Sequence, residues 1–241
     1  LFEWDAEGAT ALADAAGGAD GYYQGGQLGT GVRAVPDIDG DGLADYLVQF
    51  GAGDMAMVLP GGAHSPRIPD DAIVRITGTG AGEVATCEIV GDVDGDDEPD
   101  LACGTQGGGW LFTNLDASAV RTPNDAATTF DAGAATVRAV VDLGDLDSDG
   151  LSETMFTAAD STGPENHAFV VTGAAARGAT SVRLADLPLQ AAGRDLSARC
   201  GFQAFLLPEN AEHERTLLLG CPSDDSDGAD RGAVSALPLP R

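Results

Sequence analysis

The chain has 241 residues, enough for one all-β domain with a buried core, and its 34 glycines and scarce aromatics suit many short strands joined by tight turns. Its formal charge is −27 and all 12 basic residues are arginine. That acidity argues against nucleic acid and anionic membrane surfaces as partners, since both require clustered positive charge. No segment approaches the run of about 18 apolar residues that a transmembrane helix needs. A start at Leu1 rather than methionine is expected of a processed mature protein or of a piece of something longer.

In chain order, Leu1–Trp4 and Ala9–Ala13 read as two short strands, followed by a glycine-rich connection from Gly17 to Gly31 that carries Tyr22 and Tyr23. A first unit then has a strand near 32–36, an aspartate-rich loop at 37–45, and strands near 46–50, Met55–Leu59 and Ala72–Thr77. The second repeats this order, with strands near 85–91 and 100–104, Trp110–Thr113, and a short one near 118–122. The third has strands near 136–143 and 153–157, then His167–Thr172 and Thr180–Leu184. A fourth, degenerate unit comprises Gly201–Leu207, Thr216–Pro222 and Gly232–Leu237. Its first loop, Pro208–Arg215, lacks the aspartate pattern and is expected to bind no metal; Asp224–Asp230 reads as a solvated turn.

The aspartate-rich loops carry the chemistry. In the first, Asp37, Asp39, Asp41 and Asp45 stand at positions 1, 3, 5 and 9, with the Leu43 carbonyl at position 7. The second repeats the pattern with Asp92, Asp94, Asp96 and Asp100 and has Glu98 at position 7; the third uses Asp145, Asp147, Asp149 and Glu153, with Leu151. Calcium takes six to eight oxygen ligands, and alternating carboxylates in a tight loop supply them. Recurrence in one register, 55 and 53 residues apart, is expected of three structural Ca²⁺ sites, which would move the charge from −27 to −21. An EF-hand needs a glutamate at position 12 between helices. Here position 12 is Val48, Cys103 or Phe156, and strands flank each loop, so the metals are expected at hairpin tips.

The cysteines test the strand alignment. Cys87 lies five residues before the second loop and Cys103 three after it, so a hairpin sets them opposite each other. Cys200 and Cys221 occupy the equivalent strands of the fourth unit, each two residues further out, which keeps them on one face. Disulfides Cys87–Cys103 and Cys200–Cys221 are therefore expected, and with calcium they place the chain outside the cytosol, secreted or at a cell surface.

Repeats of some 50–60 residues with four antiparallel strands each are the sequence signature of a β-propeller. Gly220-Cys-Pro222 followed by Gly232-Ala-Val234 resembles the glycine–alanine–proline and glycine–alanine–valine signature of FG-GAP repeats, and the aspartate loops resemble the calcium hairpins of the integrin α-subunit propeller. The resemblance implies a single propeller domain over 1–241, with repeats near 32–80, 85–130, 136–190 and 199–241 and with 1–31 as closing strands. Integrin-type propellers have seven blades; this chain supplies four hairpins, an N-terminal strand completing the last of about four blades. Family members bind partners mainly on the face opposite the metals, which here carries Tyr22, Tyr23, Thr105–Gly109, Asp160–Asn166 and Arg194–Arg199.

No enzyme is expected. His64, His167 and His213 fall in unrelated places, no Gly-x-Ser-x-Gly elbow occurs, and the run Gly78–Gly82 leads into a strand rather than a nucleotide-binding helix. The sequence therefore reads as an extracellular, calcium-stabilised adhesion or structural module that binds protein, itself included, as a homo-oligomer or filament. The alternative is a carbohydrate-binding propeller with a glycan as ligand, against which the scarcity of aromatics in the binding loops weighs.

Overall fold

The computed structural model describes residues 28–50, 55–62, 70–78, 84, 86–115, 119–159, 166–187, 190–192, 203–207, 215–221 and 233–238. The expected strands at Leu1–Trp4 and Ala9–Ala13, the pair Tyr22 and Tyr23, the pairing of Cys200 with Cys221, and the segments Asp224–Asp230 and Arg194–Arg199 lie outside these residues. The described part is strand-rich, and no helix in it is long and apolar enough to cross a membrane.

The first unit is an antiparallel meander of β1 (Leu28–Val35), β2 (Asp45–Phe50), β3 (Met55–Leu59) and β4 (Val74–Thr77). β5 (Thr86–Val90) and β6 (Asp100–Phe112) open the second. A Cβ placed on Gly109 would lie 2.6 Å from the Cys103 carbonyl. An extended strand would separate those residues by about 20 Å. The chain therefore folds back between them, at Gly107 and Gly108 with φ of 89° and 159°, and β6 supplies both inner strands of the unit.

β7 (Ala119–Arg121) and β8 (Thr128–Gly144) follow. β8 crosses between units: residues 128–131 and Thr136 pair with β6, and residues 136–144 pair with β9 (Glu153–Ala159). The third unit continues through β10 (Asn166–Val171), the one-turn helix α1 (Gly173–Ala176), β11 (Ser181–Arg183) and β12 (Gln190–Ala192). β13 (Gln203–Leu207), β14 (Thr216–Cys221) and β15 (Ala233–Pro238) form the fourth, an antiparallel sheet.

Two strands differ from expectation. The sequence places the outer strand of the second unit near 118–122 and that of the third at Thr180–Leu184. Instead, β7 pairs in parallel with β4 of the first unit, and β11 pairs in parallel with the start of β8. The outer strands are the start of β8 and β12. A sheet edge exposes unpaired N–H and C=O groups. In two units the connection after the third strand covers the preceding unit's edge, and a three-residue strand has too little periodicity to reveal such a partner.

Alternation along the strands sends apolar side chains to both faces, so the units stack in layers. Val35, Leu47, Val58 and Ile76 meet Cys87, Leu101, Trp110 and Phe112 between the first two units. Phe130 of the second meets Phe156 of the third in a tilted ring pair, 4.6 Å between centroids, with Val140 and Phe169 around them. Leu217 and Leu206 of the fourth pack on Val141, Leu143 and Met155 of the third. Arg33 of β1 also pairs with Glu88 of β5, and Gln49 Nε2 donates to the Cys87 carbonyl at 2.8 Å.

Candidate metal centres

The three aspartate loops adopt one backbone conformation. Positions 4 and 6 are left-handed in each: Gly40 and Gly42 (φ 78° and 87°), Gly95 and Asp97 (88° and 68°), Ser148 and Gly150 (65° and 88°). Glycine enters this region without a Cβ clash, whereas other residues are strained there. That winding turns successive N–H groups onto the carboxylate at position 1. Asp37 Oδ1 accepts from Gly40 N at 2.7 Å and Oδ2 from Gly42 N at 2.7 Å. The same pair recurs at Asp92, from Gly95 and Asp97 at 2.6 and 2.9 Å, and at Asp145, from Ser148 and Gly150 at 2.6 and 3.1 Å. Position 5 is held likewise: Asp41, Asp96 and Asp149 accept from the N–H of Leu43, Glu98 and Leu151 at 2.8, 2.9 and 2.9 Å.

With the backbone so wound, carboxylate oxygens converge. One oxygen each from Asp37, Asp39 and Asp41 lie within 4.8 Å of one another, as do those of Asp92, Asp94 and Asp96, and of Asp145, Asp147 and Glu153. Two oxygens bound to one Ca²⁺ at about 2.4 Å each cannot be further apart than about 4.8 Å, so the donor sets fall within the outer bound for that ion. Position 9 enters the set only in the third loop, where glutamate is one methylene longer; Asp45 and Asp100 sit beneath theirs.

Position 9 is the buried member: Asp45 and Asp100 are 0% exposed and Glu153 2%. Each accepts from the N–H at position 2, from Ile38, Val93 and Leu146 at 2.7, 2.9 and 2.6 Å. The second oxygen of Asp45 accepts from Gly61 N at 2.7 Å, and that of Glu153 from Gly173 N at 3.3 Å. Asp100 Oδ1 is buried without a partner, and so is Asp94 Oδ1. Burial, reinforced by the charges of Asp94, Asp96 and Asp92, pushes the Asp100 carboxyl up to about 7. Burial also raises Glu153, with Asp147 and Asp149 adding to it. Orphaned, charge-crowded oxygens are what a cation would relieve.

The loops lie side by side. Ser152 N donates to the Asp92 carbonyl at 2.6 Å, joining the second and third. A cleft of about 300 Å³ separates the first two, lined by Ile38, Asp39, Asp96, Glu98, Pro99, Asn114 and Leu115. Among the described cysteines, the expected Cys87–Cys103 disulfide is formed, with the two residues directly opposed between β5 and β6 at a Cα separation of 4.1 Å. Thr105–Gly109 forms the turn between the inner strands of the second unit, and of Asp160–Asn166 only Asn166 is described, at the start of β10.

No family model matches the chain, and neither does any curated protein. Two solved structures of BBS1N in complex with ARL6DN, one soaked with lead and one with mercury, are similar to it. The first is 9% identical with a TM-score of 0.44, over 92% of this chain and 58% of that one. The second is 11% identical with a TM-score of 0.41, over 88% and 56%. This chain thus spans less than two thirds of either. The likeness is too loose to assign a family.

Sequence reasoning found the carboxylates and missed Gly61 and Gly173. Both lie two residues past the third strand of their unit, 16 and 20 residues from the carboxylates they hold. A glycine at that place in two units is the signal that could have found them.

Proposed function

We propose that this chain is a calcium-stabilised, secreted module of β-propeller type whose layered units bind protein, with further copies of itself among the partners. Recurrence of one loop conformation, with three carboxylates converging each time, carries this reading. Calcium would be held in the loops by Asp37, Asp39 and Asp41; by Asp92, Asp94 and Asp96; and by Asp145, Asp147 and Glu153. Its contribution is charge neutralisation and cross-linking of each loop. The chain's own residues wind the loops, bury the position-9 carboxylates and tie neighbouring units. The Cys87–Cys103 disulfide supports an oxidising compartment.

Association is supported by the end layers of the stack. Val32 and Tyr46 are 59% and 46% exposed on the outer face of the first unit. Leu207 and Val234 are 40% and 69% exposed on the outer face of the fourth. Exposed apolar side chains grouped on a sheet face, as these are among the described residues, are an association hazard that proteins cover.

The test is thermal unfolding with calcium and with chelator. At a calcium concentration 100 times the dissociation constant, each site adds about 2.7 kcal/mol. Three such sites compare with a whole-domain stability of about 5–15 kcal/mol. Chelation should therefore lower Tm by well over 10 °C; an unchanged Tm would sink the calcium reading.

A further inference from the structure

In two units, the residue just before the second strand rests on the loop region of the unit before it. In the third unit this residue is Ser152, one before β9. Its N–H donates to the Asp92 carbonyl at 2.6 Å, and its side chain lies so close to Gly91 that a Cβ there would collide with Ser152 Oγ. In the fourth unit it is Arg215, one before β14. Arg215 Nη1 donates to the Leu143 carbonyl at 2.8 Å and lies 3.2 Å from where a Cβ would stand on Gly144. Gly91 and Gly144 immediately precede the second and third aspartate loops.

The junction of the first two units lacks both halves of this contact. The residue before β6 is Pro99, which has no N–H to donate. The residue before the first loop is Pro36, where the other two loops have glycine. The cleft of about 300 Å³ opens here, with Asp39 of the first loop and Asp96, Glu98 and Pro99 of the second in its walls. Beneath the loops the two units still share a core, so the break is confined to the loops.

We propose that the second and third loops take up their cations cooperatively and that the first fills independently, with Pro36 and Pro99 as the break. The proposal rests on the reading that the loops hold calcium. Asp92 stands in both loops' networks: its carboxylate accepts from Gly95 and Asp97, and its carbonyl accepts from Ser152 of the third loop. Filling either loop orders one end of that shared bond, so the other has less order to supply when its own ion arrives. A hydrogen bond held in one state and frayed in the other changes affinity by about 2- to 12-fold. Linkage makes the effect reciprocal. Repulsion between two bound cations acts in the opposite direction, so charge alone does not produce this coupling. The exposed Arg177 guanidinium lies over Gly95, 3.1 Å from where a Cβ would be. It weakens the second loop whether or not the third is filled, and so leaves the coupling unchanged.

The experiment is a calcium titration of the full chain at neutral pH, followed by NMR through the amide signals of Gly42, Asp97 and Gly150, one in each loop. Asp147→Ala, which removes a carboxylate of the third loop, should raise the calcium midpoint of Asp97 by about 2- to 12-fold and leave that of Gly42 in place. Asp94→Ala should raise the Gly150 midpoint by a similar factor, and Asp39→Ala should move neither Asp97 nor Gly150. Ser152→Pro deletes the N–H and keeps every carboxylate; in that background the Asp97 midpoint should no longer respond to Asp147→Ala. The three aspartate variants decide the question whether or not Ser152→Pro folds. The proposal is overturned if the Asp97 midpoint stays or falls in Asp147→Ala, or if Gly42 shifts as far as Asp97. If calcium moves none of the signals in the unaltered chain, the calcium reading itself fails.

Discussion

The first and third hairpins hold their buried carboxylate with two backbone donors from different elements, while the second holds its own with one donor and adds a disulfide across its stem. Gly61 and Gly173 reach back from the end of the third strand, so aspartate loop, second strand and third strand are tied at one point. In the second unit Asn114 stands at that place and Cys87–Cys103 ties the two strands beneath the loop instead. One loop conformation is thus stabilised in two ways. The difference teaches that a repeated motif need not be supported by repeated surroundings.

Removing the disulfide strikes the hairpin that lacks the glycine donor. Its cysteines are 16 residues apart, and closing a loop of that size stabilises by about 3 kcal/mol in the chain-entropy model. Cys87→Ser with Cys103→Ser should lose about that much in denaturant melts, and more in chelator, where the hairpin has neither cross-link nor cation. Equal losses with and without calcium would separate the disulfide from the metal loop and break the comparison.

Gly61→Ala and Gly173→Ala come next. The new Cβ would lie 2.3 Å from the Ala44 carbonyl in one case and 2.3 Å from Leu151 Cβ in the other. Each also displaces an N–H from a buried carboxylate, so a loss of about 2–4 kcal/mol is expected. Asn114→Gly should instead be neutral or stabilise by up to about 1 kcal/mol, because it removes left-handed strain and no donor to Asp100. A loss at Asn114 as large as at the two glycines would show that all three positions play one part.

The hairpins and the Cys87–Cys103 pairing were legible because a local pattern fixes them: alternating carboxylates, a short strand on either side, and a register that any antiparallel ladder must obey. The parallel strands were not. β7 and β11 have three residues each and find their partners in a different unit, so neither length nor alternation betrays them. The turn α1 escaped for a similar reason, since its signal is only Thr172 capping Ala175 N at 3.2 Å before a run of alanines. Asp45 and Asp100 were legible as members of the pattern, but their burial depends on packing under the loop, which spacing does not encode.

Smaller effects sharpen the comparison within the loops. Asp97→Gly and Ser148→Gly place glycine at left-handed positions and should each stabilise by about 1 kcal/mol, measured as a shift of the denaturant midpoint. Destabilisation by either would mean that its side chain contributes to the loop. Arg177→Ala should tighten calcium binding by about twofold in the second loop and leave the other two unchanged; an equal change in all three would mark a general charge effect.

The central claim is that three loops of one conformation hold three calcium ions. Isothermal titration of the metal-stripped chain with calcium at neutral pH addresses it most directly. Three equivalents bound per chain is the predicted result, falling to two in Asp94→Ala. No saturable binding, or binding that Asp39→Ala, Asp94→Ala and Asp147→Ala together leave intact, would contradict it.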